Sequence, residues 1–493
     1  MSDKVTLGKL STGVPGLDTL LGGGLTEFSF NLIAGAPGSG KTTLAHQIMF
    51  SLTQSGRKAI FFTVLGEPPI KMLRYQQQYA FFDVSQVGKN IQYINLAEDL
   101  RMGDFSGVLE RISREVEAFS PDLVFVDSFR SVVQTARNGT EGVADLQYFV
   151  QELGTRMASW QATTFLIGEY AHPEAEANPI LTVADGLISL SQNVAVNSVT
   201  RKIRVVKMRG QHHMAGYHIF RISDSGIHVY PRLLPPLAGE RTNGDPVETN
   251  VPRVPTGVAG IDRMMEGGLP AGHSLLVVGP TGVGKTILST AFLKNGVDHG
   301  EKGVIASFEK GTSRLRNVAL EQMVQAGNVA VFENRSLDLS VEEVLEGLLD
   351  TIARTGATRV VIDSLSEFGL YLAPEFRQDF RESVFRILTA LAKTGVTVMV
   401  TLGMEDRFTE MRFSRSDLSF LTDAVIAMRY VAIEGKLTKV LTIVKVRGSN
   451  HSRELRQFEI TDQGIEVGDS MVAYEGVLSA HPSAAGTDIR HDF

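Results

Sequence analysis

Residues 35–42 read GAPGSGKT, and residues 279–286 read GPTGVGKT. Both fit G-x-x-x-x-G-K-[ST], in which small residues bend the backbone so that successive N–H groups turn inward toward phosphate oxygens. In the first copy Gly35, Gly38, Ser39, Gly40 and Thr43 form the cradle, Lys41 reaches the β- and γ-phosphates, and Thr42 ligates the metal. In the second, Gly279, Thr281, Gly282, Val283, Gly284 and Ile287 form the cradle, with Lys285 and Thr286 in the two named roles. The expected ligands are ATP and Mg²⁺. Context supports both matches: the apolar runs FNLIAGAPG and SLLVVGPTG precede the loops, and the helical stretches TTLAHQIMFSL and TILSTAFLKNGV follow them. Each following helix adds its positive N-terminal end to the anion site.

The duplication extends far beyond the loops. STGVPGLD (11–18) is matched by PTGVAGID (255–262), with the same offset of 244 residues (18 to 262, 41 to 285). VKMRGQHH (206–213) is matched by VKVRGSNH (444–451), and RISDSGIHV by EITDQGIEV, at an offset of 238 (207 to 445, 222 to 460). So long a period indicates duplicated domains and not a short-period solenoid. The stretch LLPPLAGERTNGDPVETNVPRVP (233–255) is rich in proline and polar residues and reads as a connection. The expected layout is a first domain at 1–232, a linker at 233–251, a second domain at 252–468 and a flexible tail at 469–493.

Inside each copy, apolar strands alternate with amphipathic helices. KAIFFTVL, LVFVD and TTFLIGEY in the first copy correspond to KGVIASF, RVVID and TVMVTLG in the second. FSGVLERISREVEAF and VEEVLEGLLDTIARTG read as intervening helices. Such alternation predicts an α/β fold, a mostly parallel sheet with helices on both faces. The strands LVFVD and RVVID end at Asp127 and Asp363, where a carboxylate can orient the metal and its water. Hydrolysis further needs a carboxylate to position or deprotonate water, and Glu67 and Glu309 come at the ends of KAIFFTVL and KGVIASF, the strands that follow the loop helices.

Composition narrows the function. The chain of 493 residues is 43% hydrophobic and 21% charged, ordinary for globular domains, with a formal net charge of −7. No overall field therefore draws it to nucleic acid or anionic lipid. Cysteine is absent, which excludes disulfides and thiolate metal sites and fits a reducing compartment. No signal peptide or membrane span is read, so the expected location is cytoplasmic.

The order STGVPGLD, phosphate loop, strand-end carboxylate, VD-S strand and K-x-R-G hairpin resembles the KaiC family, from about residue 8 to about 468. That resemblance implies two tandem RecA-like P-loop domains, ATP hydrolysis, and a homo-oligomer, a double-ring hexamer with nucleotide between subunits. It implies that Lys207, Arg209 and His213, and Lys445, Arg447 and His451, act in trans on a neighbour's phosphates. It also brings in Kai-type clock or signalling proteins as partners, and serine/threonine autokinase activity.

The chain departs from the family's pattern in places. Clock members carry two adjacent glutamates at the catalytic strand end; this chain has Leu65-Gly66-Glu67 and Glu309-Lys310. They phosphorylate an adjacent serine–threonine pair, for which RSDLSFLTD (415–423) offers Ser419 as candidate phosphosite followed by Phe420, which has no hydroxyl. Two other readings stay open: a DNA-dependent RecA-like motor, disfavoured by the lack of a zinc module and of a basic–aromatic run, and a nucleotide-locked scaffold with little turnover.

Overall fold

The run FNLIAG is buried at every position, as only a strand covered on both faces can be. In the computed structural model it forms the strand Phe30–Gly35, and its side chains divide with period two. Phe30, Leu32 and Ala34 join one apolar cluster and Ile33 joins another. The structure describes residues 8–64, 69–101, 105–127, 142–169, 179–195, 198–232, 251–308, 317–333, 338–404, 420–433, 436–471, 474–475 and 483–484.

The chain divides into two units, Met1–Arg232 and Leu233–Phe493. Among the described residues of the first unit, Phe30–Gly35 lies in a nine-stranded sheet. It pairs in parallel with Thr163–Glu169 on one side and Gly186–Ala195 on the other. Leu123–Asp127, Ala59–Thr63 and Ile91–Asn95 extend the parallel part outward from Thr163–Glu169. Beyond Gly186–Ala195 the chain turns back through Ser198–Met208, His218–Ser223 and Gly226–Tyr230, all antiparallel. Helix Lys41–Gln54 covers one face through Leu44, Ile48 and Met49. Helices Phe105–Phe119 and Gly142–Ser159 cover the other, through residues such as Val108, Ile112, Leu153 and Met157.

The second unit repeats this plan. Ser274–Gly279 pairs in parallel with Thr397–Gly403 and Ala424–Ile433. Arg359–Asp363, Gly303–Ser307 and Val329–Phe332 continue the parallel part. Lys436–Val446, Arg456–Thr461 and Gly464–Ser470 form the antiparallel part. Helix Val341–Thr355 starts at a capping box, with the Ser340 hydroxyl accepting from Glu343 N and the Glu343 carboxylate from Ser340 N, and ends at left-handed Gly356. The alternation read from sequence is thus the observed α/β architecture, two mostly parallel sheets each flanked by helices. The last strand of this sheet reaches Ser470, past the boundary of 468, and within the expected tail Tyr474–Glu475 pairs with Ser483–Ala484. Among the described residues no helix is long and apolar enough to cross a membrane.

Candidate functional site

Each loop leads into a fourteen-residue helix, Lys41–Gln54 or Lys285–Asp298, that has neither a capping side chain nor an acidic residue in its first turn. The leading amides of such a helix want an external acceptor, and an anion is the natural one. Gly40 and Gly284 take φ of 101° and 121°, which a side chain rarely tolerates, and a Cβ at Gly40 would stand 2.9 Å from Ile222 Cδ1. The loop lysines bond the loop's own carbonyls: Lys41 Nζ donates to Ala36 O at 2.9 Å, and Lys285 Nζ to Gly279 O and Pro280 O at 2.7 and 2.9 Å. Burial lowers the pKa of both ammoniums. It is opposed at Lys41 by Glu169 and Asp127, and at Lys285 by Asp363 and Glu367.

The metal side differs between the copies. Thr42 Oγ1 donates to Asp127 Oδ2 at 2.7 Å, joining the first residues of the loop helix to the end of strand Leu123–Asp127. Burial pushes the Asp127 carboxyl up to about 6, against the Thr42 bond and the Lys41 charge, with Glu169 raising it further. In the second copy Asp363 instead accepts from Thr401 on the adjoining strand, a position the first copy fills with Ile167. Among the described residues no three acidic or histidine side chains converge as a metal site. Magnesium does not require one, since it is held by one or two protein oxygens together with phosphates and water. The residues present therefore fit Mg·ATP.

Two carboxylates near the lysines escaped the sequence reading. Glu169 ends the strand beside the phosphate-loop strand, in register with Gly35; its counterpart, in register with Gly279, is Gly403. The second lysine instead feels Glu367, from helix Leu365–Tyr371. A polar residue closing a buried strand next to the loop strand, as in TTFLIGE, was the available signal for Glu169. Glu67, Glu309 and Ser419 lie outside the described residues.

The repeated STGVPGLD element is a structural lock. Asp18 Oδ1 accepts from Thr12 N and Thr12 Oγ1 at 2.8 and 2.7 Å, and Asp262 Oδ1 from Thr256 N and Oγ1 at 2.6 and 2.7 Å.

The basic turns sit at the far end of the sheet from their own loops. Lys207 is in register with Leu187, and Leu187 with Leu32; Gly35 is in register with Leu190. Arg209 N bonds Asp185 O, and Asp185 N bonds Phe30 O, at the start of the phosphate-loop strand. At about 3.3 Å per residue, Arg209 lies about 16 Å along the sheet from Gly35 and two strand spacings across. Its guanidinium donates to Asp185 Oδ1 at 3.1 Å and Thr182 O at 3.0 Å, while Lys207 Nζ donates to Ala184 O at 2.7 Å. Arg447 Nη2 donates to Phe420 O at 2.8 Å and its guanidinium is 3.6 Å from Asp423 Oδ1. Burial chiefly, then the neighbouring arginine, lowers the pKa of Lys207 and Lys445. His213 and His451 are half-buried beyond these turns, and burial also lowers His213.

One titrating group belongs to the first copy alone. His46, fully buried on the loop helix, lies with Nδ1 2.7 Å from Thr42 O and its ring against Phe61, at 4.5 Å between centroids. At the matching offset the second copy has Thr290, whose hydroxyl donates to Thr286 O at 2.9 Å. Burial lowers the His46 pKa from 6.5 to about 4. Above pH 6.5 both folded and unfolded states hold it neutral. On acidification toward pH 4 the unfolded chain takes up a proton that the folded chain refuses, so stability falls. Between pH 7.5 and 5 the loss is about 2 kcal/mol. Asp127 acts with the opposite sign over part of this range, so the clean measurement is a difference. His46→Gln is expected to lose about 2 kcal/mol less than the parent across that interval in urea denaturation; equal losses would mean that His46 is protonated in the fold.

Comparison with known proteins supplies the context. The family model described as ATPase: KaiC matches residues 10–233 and 254–471. The chain is 26% identical over 493 residues to a circadian clock oscillator protein KaiC of a Picosynechococcus species, covering 97% of this chain and 93% of that protein. It is likewise 26% identical to the KaiC of Prochlorococcus marinus, over 99% and 98% of the two chains. To the circadian clock protein KaiC3 of a Synechocystis species it is 27% identical, over 98% and 96%.

Proposed function

We propose, from the premise that this chain belongs to the KaiC family of ATPases, that it hydrolyses Mg·ATP at sites completed between neighbouring copies in a double-ring hexamer. The observation that carries this reading is the separation of each basic turn from its own phosphate loop. Arg209 is bonded at the foot of the phosphate-loop strand, and the loop is at its head. Lys207, Arg209, Lys445 and Arg447 therefore serve a site other than that of their own unit, and a second copy of the chain is the source that a closed ring supplies.

In this reading the loop amides, Lys41 and Lys285 hold the phosphates, and Thr42 with Asp127, and Thr286 with Asp363, hold Mg²⁺. The ion when bound neutralises charge on the phosphates. Glu67 and Glu309 orient the attacking water and accept its proton. Glu169 lies close enough to shift Lys41 and so brings the first site a carboxylate from the neighbouring strand, where the second site draws Glu367 from a helix. The cations in trans stabilise negative charge that builds on the phosphate in the transition state. Phosphoryl transfer to Ser419, Kai-type protein partners and a cytoplasmic location extend the same reading.

Phosphate release by the assembled particle tests it. Glu67→Gln and Glu309→Gln are each expected to remove one site's share of turnover, and the double variant to lose about a hundredfold or more. Full turnover in the double variant would reject both glutamates as bases. A parent that binds ATP, assembles and releases no phosphate would be a nucleotide-locked scaffold. Phosphopeptide mapping after incubation with Mg·ATP reads Ser419 directly.

A further inference from the structure

We infer that Asp185 and Asp423 are positioning residues that aim the trans-acting cations by clamping each basic turn to the foot of its own phosphate-loop strand. The inference rests on the proposed sharing of sites between copies and names the residue that makes a shared site precise.

The clamp is built the same way twice. In the first unit the Asp185 carboxylate accepts from Phe30 N at 3.0 Å through Oδ2 and from Arg209 Nη1 at 3.1 Å through Oδ1. Its backbone closes the same two links, Asp185 N to Phe30 O at 2.7 Å and Arg209 N to Asp185 O at 2.9 Å. In the second unit Asp423 Oδ2 accepts from Ser274 N and Ser274 Oγ at 2.9 and 2.8 Å, and Oδ1 faces Arg447 at 3.6 Å. The backbone links recur, Asp423 N to Ser274 O at 3.0 Å and Arg447 N to Asp423 O at 2.9 Å. The carbonyl bond of each guanidinium also repeats, to Thr182 O in one unit and Phe420 O in the other.

A solvated structural ion pair has little reason to recur in this detail. The arginines are more than half exposed, so the pairs add little to stability. What they fix is direction. A guanidinium held by a carboxylate and a carbonyl has lost most of its rotamers, and a group that must meet a neighbour's phosphate gains from losing them beforehand. Because the same carboxylate is bonded to the first residue of the loop strand, the aim of the turn is referenced to the strand whose other end is the phosphate loop.

The test uses the full chain carrying Lys285→Ala, so that the first site is read alone. Asp185→Asn keeps an acceptor for Phe30 N–H and removes the charge facing Arg209. It is expected to lower kcat for Mg·ATP about tenfold, leaving KM and the thermal midpoint near the parent values. The decisive reading is a mixture with Lys41→Ala chains in the same background, which have intact turns and a disabled loop. In mixed particles the Asp185→Asn chain's own loop is served by a neighbour's intact turn, so its turnover is expected to recover, and damage to its own loop would not be rescued this way. Arg209→Ala mixed with Lys41→Ala is the reference. If that reference fails to recover, the shared-site reading falls. If it recovers and Asp185→Asn does not, or if Asp185→Asn keeps full kcat, Asp185 is not a positioning residue.

Discussion

Arg209→Ala combined with Arg447→Ala is expected to lower Mg·ATP turnover by about a thousandfold, the low end of what a cation acting in trans is worth. Stability should hardly change, because both arginines are more than half exposed and each aspartate keeps its bonds to the start of the loop strand. The loss should therefore fall on kcat, with the particle still assembled and nucleotide still bound by loops these arginines do not touch. Mixing gives the sharper result. Chains lacking Arg209 have a sound loop and chains lacking Lys41 have a sound turn, so a mixed ring regenerates complete sites that neither parent ring contains. Turnover that stays at the sum of the two parents, or a parent chain that hydrolyses ATP at full rate while monomeric, would place the cations in cis and overturn the shared site.

Arg359→Ala is expected to destabilise the second unit by about 3 kcal/mol, chiefly because it removes the donor from buried acceptors, while the Glu301 carboxylate left behind is 32% exposed. Arg359 is 2% exposed and spends its whole guanidinium on partners drawn from separate parts of the unit. Nε and Nη2 grip Glu301 at 2.9 and 3.0 Å, Nη1 donates to Pro255 O and Phe292 O at 2.9 Å each, and Nη2 reaches Asn295 Oδ1 at 3.2 Å. These bonds tie the strand ending at Asp363 to the loop helix and to the segment that leads into the lock at Asp262. Truncation leaves two carbonyls without their donor, and the Glu301 carboxylate without the cation that holds its pKa low. The first unit shows a different solution: Leu123 starts the equivalent strand, and Arg57 stands where the second unit has Glu301. Hydrogen exchange of Ser274–Gly279 under denaturant reads the second unit by itself; a change below about 1 kcal/mol in Arg359→Ala would make the network peripheral.

The duplicated plan was legible because its signals are local. A phosphate loop needs glycines, a lysine and a hydroxyl within eight residues. A strand buried on both faces needs an unbroken apolar run, and the runs read as LVFVD and RVVID are strands Leu123–Asp127 and Arg359–Asp363. Helices with one apolar face declare themselves by period, as in Phe105–Phe119 and Val341–Thr355. The offset of the repeat was readable by simple counting.

What stayed hidden depends on residues far apart in the chain. Glu169 is only the polar end of the run TTFLIGE until sheet register sets it beside Gly35, and nothing local singles out Asp185 until it meets Phe30 and Arg209. The aspartate of STGVPGLD is only a landmark of the repeat in sequence, and in the structure it is a lock on Thr12. By itself, then, the sequence determined that there are two α/β units, each with a phosphate loop, since those follow from short-range pattern and backbone chemistry. Only tertiary structure decided which carboxylates surround each lysine, and that the basic turn faces away from its own loop. Sheet order and register set those distances, and neither can be read from the spacing of residues along one strand.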